Sequence, residues 1–76
     1  MTLEEQVNTA INNFENVPSS QFLEILNKII PEFKSNLTSE YLQGKIQKIL
    51  ELDDESEKKK QCKALMPYLD WYLQGL

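Results

Sequence analysis

The sequence predicts an all-α fold: a small bundle of four helices, five if Pro31 or Pro67 divides one, and no strands. Three observations lead there. Apolar residues recur at three- and four-residue spacings in four segments, which is the period of one helix face. Hydroxyl or carboxylate residues suited to capping a helix precede each segment. No run alternates apolar with polar residues, and no Asn-Gly or Asp-Gly hairpin turn is present. The 76 residues are read as a single helical domain spanning 1–76, near the lower size at which a chain folds alone.

The first helix opens on Thr2-Leu3-Glu4-Glu5, a capping box with a hydroxyl at the N-cap and a carboxylate three residues on. Leu3, Val7, Ala10, Ile11 and Phe14 form its apolar stripe. Pro18 is expected to end it, because the residue before a proline is pushed out of the helical region. Ser19 and Ser20 then offer N-caps for a second helix. That helix carries Phe22, Leu23, Ile25, Leu26, Ile29, Ile30 and Phe33, which cover more than one face and mark it as the most buried. Pro31 either ends it near Ile30 and opens a separate turn, or kinks it.

Residues 36–39 read as a polar break, with Thr38 and Ser39 as N-caps of a third helix bearing Tyr41, Leu42, Ile46, Ile49 and Leu50. Gly44 inside it costs about 1 kcal/mol against alanine. Asp54, with Glu57 three residues on, caps the last helix. Glu55, Lys59 and Lys63 are spaced as a solvated ladder. Cys62, Leu65, Met66, Leu69, Leu73 and Leu76 form its core stripe. Pro67 kinks or divides it, and Gly75 is placed to stop it.

The missing residue types exclude much. There is no histidine, and all eight basic residues are lysine. Histidine is the usual general base near neutral pH and the commonest metal ligand. Its absence removes Ser-His-Asp and Cys-His catalysis and most zinc sites. An enzyme is not expected; no catalytic residue, metal site or cofactor is assigned. A net charge of -4 without arginine argues against direct nucleic-acid binding. No apolar run reaches the roughly 18 residues of a membrane span. The acidic start, Met1-Thr2-Leu3-Glu4-Glu5, lacks the basic and apolar regions of a signal peptide. The single cysteine fits a reducing compartment. The expectation is a soluble, cytoplasmic protein.

One familiar outline can be set aside. A short acidic helical chain with Ser39 near its middle, opening Met1-Thr2-Leu3-Glu4-Glu5-Gln6-Val7, is similar in outline to acyl carrier proteins. That family presents its modified serine in Asp-Ser-Leu at the start of a helix. Here the tripeptide is Thr38-Ser39-Glu40, and the strongest apolar helix occupies the place of the family's long first loop.

Two groups of residues remain as candidate sites. On a continuous last helix, Ala64, Tyr68, Trp71 and Tyr72 extend the apolar arc beyond the roughly 100° a surface helix needs to face its own core. Tyrosine and tryptophan are favoured interface anchors, so these four are the candidate protein-binding surface. Glu51, Asp53, Asp54, Glu55 and Glu57 form a secondary acidic surface. They lack the ligand order of a calcium loop and serve otherwise as negative charge at a helix N-terminus. Lys58, Lys59, Lys60 and Lys63 read as a solvated face, and Cys62 as a buried, inert thiol.

The function read from these residues is a small acidic helical protein-binding module, an adaptor, regulator or subunit. It would act through the C-terminal aromatic patch, with carboxylates at its rim to steer a basic partner. Two alternatives stand beside it. One is an inhibitor whose acidic 51–57 segment imitates nucleic acid and so blocks a nucleic-acid-handling enzyme. The other is a structural homodimer subunit whose apolar excess is covered by its own copy.

Overall fold

A computed structural model describes residues 2–75. Among these, five α-helices and two 3-10 turns follow one another, with no strand: α1 (Leu3–Asn12), a turn at Phe14–Asn16, α2 (Ser19–Ile29), a turn at Ile30–Glu32, α3 (Asn36–Leu50), α4 (Glu55–Ala64) and α5 (Met66–Gln74). The all-α reading holds. Leu76, assigned to the last core stripe, lies outside the described residues.

The first N-cap forms as expected, the Glu5 amide donating to the Thr2 hydroxyl at 3.1 Å. α1 stops well before Pro18, however. Asn13 leaves the helical region at φ -129°, ψ 31°, and its side-chain oxygen accepts from Asn16 at 2.9 Å. Asparagine competes with the helix by bonding locally, so the chain tightens into a 3-10 turn. That turn still buries Phe14, whose ring meets Phe22 edge-on at 5.5 Å.

α2 is the centre of the molecule and packs against α1, α3 and α4. Phe22, Leu23, Ile25, Leu26 and Ile29 are all buried, as is Ile30 just beyond, which is the all-round burial the composition implied. Pro31 sits in the following 3-10 turn, so the helix ends and does not kink. α3 begins earlier than expected: Ser35 is the N-cap, and its hydroxyl accepts from the Thr38 amide at 3.3 Å. Thr38 and Ser39 are therefore inside the helix. The Ser39 hydroxyl donates to the Ile30 carbonyl at 3.2 Å, a structural duty unlike that of a modified serine at a helix start.

Pro67 divides the last segment. Leu65 takes φ -97°, ψ 0°, outside the helix but buried, and Pro67 occupies the first turn of α5, where its missing N–H costs nothing. Cys62, Leu65 and Leu69 reach the core from both sides of this break. Gly75 closes α5 at φ 81°, a left-handed C-cap that glycine adopts without steric cost.

The expected solvated ladder on α4 is instead a tether. Asp54 caps α4 by accepting from the Glu57 amide at 3.3 Å. One residue on, the Glu55 carboxylate reaches the start of α2, accepting from the Ser19 amide at 3.0 Å and the Ser19 hydroxyl at 2.7 Å. Ser19 is thus the first residue of α2 and is itself held from outside; it is not the N-cap. One turn later, the Lys59 ammonium donates to the carbonyls of Phe14 and Val17 and lies 4.1 Å from the Phe14 ring centroid. The Phe14 carbonyl already accepts the Val17 amide at 3.1 Å in the 3-10 turn; Lys59 adds a second donor there and caps the Val17 carbonyl just before Pro18. Lys63, the third rung, stays exposed.

Candidate docking surface

The break at Leu65 reorganises the predicted C-terminal patch. Tyr68 and Trp71 project together from α5, their rings meeting edge-on at 5.1 Å. Tyr68 is half-buried because it is packed between elements: Phe33, at the end of the second 3-10 turn, meets it edge-on at 6.4 Å, and Tyr41 of α3 lies tilted against it at 6.1 Å. Burial, and then the neighbouring Tyr41, push the Tyr68 hydroxyl above the usual tyrosine range. Four aromatic rings therefore converge where α3, α5 and the second turn meet.

Their outer side is open. Trp71 is 43% exposed, Tyr41 51% and Leu37, one turn before Tyr41 on α3, 79%. Between Trp71 and the start of α3 lies a shallow, largely apolar depression of about 230 Å³, lined by Phe33, Lys34, Ser35, Thr38 and Trp71.

The other two predicted patch residues are not part of this convergence. Ala64 is the exposed last residue of α4, across the Leu65 break from Tyr68, so the continuous wheel that joined them does not exist. Tyr72 turns the other way; it is half-buried against the core and lines a separate hollow with Glu4 and Glu32. Sequence reasoning did not bring Phe33 and Tyr41 to Tyr68, where they pack, nor Leu37 to the exposed face beside Tyr41. The sequence pattern puts Tyr41 and Phe33 on the apolar stripes of their helices and Leu37 in a polar break. The signal for Leu37 and Tyr41 was their spacing of four on a helix starting at Asn36.

The charges beside the surface also differ from expectation. The Lys45 ammonium stands 5.9 Å from the Tyr41 ring centroid, and Lys34 lines the depression. Asp70 lies about 160° around α5 from Tyr68 at 100° per residue. Asp70 is about 100° from Trp71 and Glu40 about 100° from Tyr41, so carboxylates stand at the edges of this face while lysines stand nearer its rings.

The acidic residues lie at the far end of α3, about 15 Å along the helix from Tyr41 at 1.5 Å per residue. Asp54 and Glu55 are engaged in the cap and tether described above. Glu57 is half-buried and accepts from Gln61 at 3.5 Å. Glu51 and Asp53 are exposed. Two Ser19 hydrogen bonds, backbone first, hold the Glu55 carboxyl below the usual glutamate range, with Lys58 and Lys59 adding to the effect.

Cys62 is fully buried, and burial pushes its thiol up to about 11, the opposite of what a nucleophile requires. Among the described residues, no cluster of three His, Cys, Asp or Glu side chains could hold a metal ion, and no helix is long and apolar enough to cross a membrane. No protein-family model matches the chain, and no curated protein or solved structure is significantly similar to it.

Proposed function

We propose that the chain is a protein-binding module, and that the surface formed by Leu37, Tyr41, Tyr68 and Trp71 is where its partner docks. The observation that carries this reading is the state of Trp71. Its ring packs edge-on against Tyr68, yet the residue is 43% exposed. A large aromatic packed against a neighbouring ring beside other exposed apolar groups loses little entropy on being covered, which is what makes such residues interface anchors. Leu37 adds an almost wholly exposed apolar side chain that does nothing for the core.

Site-specific photocrosslinking tests this reading. A photoreactive residue at position 37 should give a discrete adduct in extract of the source cells. The same residue at position 50, on the opposite side of α3, should not. Trp71→Ala should abolish the adduct while the circular-dichroism signal stays unchanged. Equal adducts from both positions, or an adduct indifferent to Trp71→Ala, would contradict the proposal.

A further inference from the structure

The nature of the partner can be taken further, on the premise that this surface is the docking site. Taking Tyr41 as zero and turning about 100° per residue along α3, Leu37, Thr38, Gly44, Lys45 and Lys48 all fall within about 60° of it. That arc carries two lysines and no carboxylate. The carboxylates stand outside this arc: Glu40 about 100° from Tyr41 on the same helix, Glu51 about 80° away at its far end, and Asp70 about 100° from Trp71 on α5, while Glu32 lines the separate hollow with Tyr72. Lys34 adds a third cation at the depression. A chain of net charge -4 has therefore gathered basic groups around its most exposed apolar surface.

Gly44 supplies a second, independent observation. Glycine inside a helix is disfavoured against alanine and is explained when another backbone must come close. Nothing lies within 4 Å of where a Gly44 side-chain carbon would sit, so no packing inside the molecule calls for it. It stands on the same arc, between Tyr41 and Lys48.

We infer that the surface receives an acidic amphipathic helix of another protein. Its backbone passes over Gly44, one apolar side chain fills the depression between Phe33 and Trp71, and its carboxylates face Lys34, Lys45 and Lys48. This is the helix-in-groove mode of recognition, with the charge of the rim selecting the partner.

Two synthetic helical peptides without tryptophan test it. Both carry the same Leu and Phe stripe; one has glutamate at every flanking position and the other lysine. Each is titrated into the full chain while Trp71 emission is followed. The glutamate peptide should bind at least about tenfold more tightly, and the advantage should shrink at high salt. Lys45→Glu with Lys48→Glu should reverse the preference. Gly44→Leu, which has open space to occupy, should keep the fold and weaken the glutamate peptide about tenfold or more. Equal or tighter binding of the lysine peptide overturns the charge inference and leaves the docking reading standing. If neither peptide moves Trp71 while crosslinking at position 37 still depends on Trp71, the acidic helix is overturned and the docking reading survives. If crosslinking fails as well, both fall. A dimer in sedimentation that shields Trp71 also overturns the inference and gives the surface to a second copy of the chain.

Discussion

The carboxylate of Glu55 accepts both the amide and the hydroxyl of Ser19, at 3.0 and 2.7 Å, and so joins the first turn of α4 to the first turn of α2 across 36 residues of sequence. A helix N-terminus leaves backbone N–H groups without partners and carries partial positive charge. Glu55 answers both needs from a distant element, where a local serine cap had been expected. With Lys59 on the next turn holding the Phe14 and Val17 carbonyls, α4 secures the whole connection between α1 and α2. The two residues should behave as one unit: Glu55→Ala and Ser19→Ala should each lower the thermal midpoint, and the double variant should lose less than the sum of the two. Additive losses in a double-mutant cycle would show that the hydroxyl–carboxylate bond contributes nothing; the amide bond survives in Ser19→Ala and is read from Glu55→Ala alone.

The same carboxylate sets a pH dependence. Its hydrogen bonds depress its folded pKa, so the unfolded chain binds more protons as the medium becomes acid. The stability it contributes is complete above the ordinary glutamate pKa and is lost as pH falls through the lower, folded value. Unfolding midpoints should therefore drop below about pH 5, and Glu55→Gln should flatten part of that slope. Between pH 6 and 8 stability should be level, because no histidine is present to titrate. Urea melts across the range check both statements.

Core and surface substitutions should separate sharply. Phe22 and Leu69 are fully buried, and truncating either to alanine costs about 3–5 kcal/mol, comparable to the whole stability expected of so small a core. Those variants should be largely unfolded by circular dichroism. Leu37→Ala should cost no more than about 1 kcal/mol, and Trp71→Ala about 1–2 kcal/mol, because part of its ring is covered by Tyr68. A Trp71→Ala variant that unfolds would make Trp71 a core residue.

The contrast shows what was legible in the sequence and what was not. Helical periodicity placed Val7, Ala10, Leu42, Ile46, Cys62 and Leu69 correctly in the core, and two N-caps, Thr2 and Asp54, were read as they form. Those are local properties of the chain. The tether was not legible, because Glu55 and Lys59 are spaced four apart as a solvent-facing pair would be, and only the fold brings Ser19 and Phe14 to them. The convergence of rings was half legible. Tyr68 and Trp71 follow from the turn of one helix, but Phe33 and Tyr41 join them through packing between elements. Ala64 is separated from Tyr68 and Trp71 because Pro67 breaks the wheel at Leu65; Tyr72, one turn after Tyr68 on the same helix, packs against the core instead.

Cys62 offers a check on the packing at that break. It is fully buried with its thiol raised to about 11, so in the native protein at pH 8 it should react with a disulfide reagent far more slowly than in urea. Cys62→Ser, which places a hydroxyl in an apolar site, should cost about 1–3 kcal/mol. Rapid native labelling would mean that α4 and α5 open readily at Leu65.

The central claim is that Trp71 belongs to a surface left open for a partner, and iodide quenching of its fluorescence tests that most directly. Trp71 is the chain's single tryptophan, so the signal has one source. The account predicts a red-shifted emission that iodide quenches readily, unchanged on dilution of a monomer. A blue-shifted emission that iodide cannot reach, in a protein shown to be monomeric, would place Trp71 in the core and contradict it.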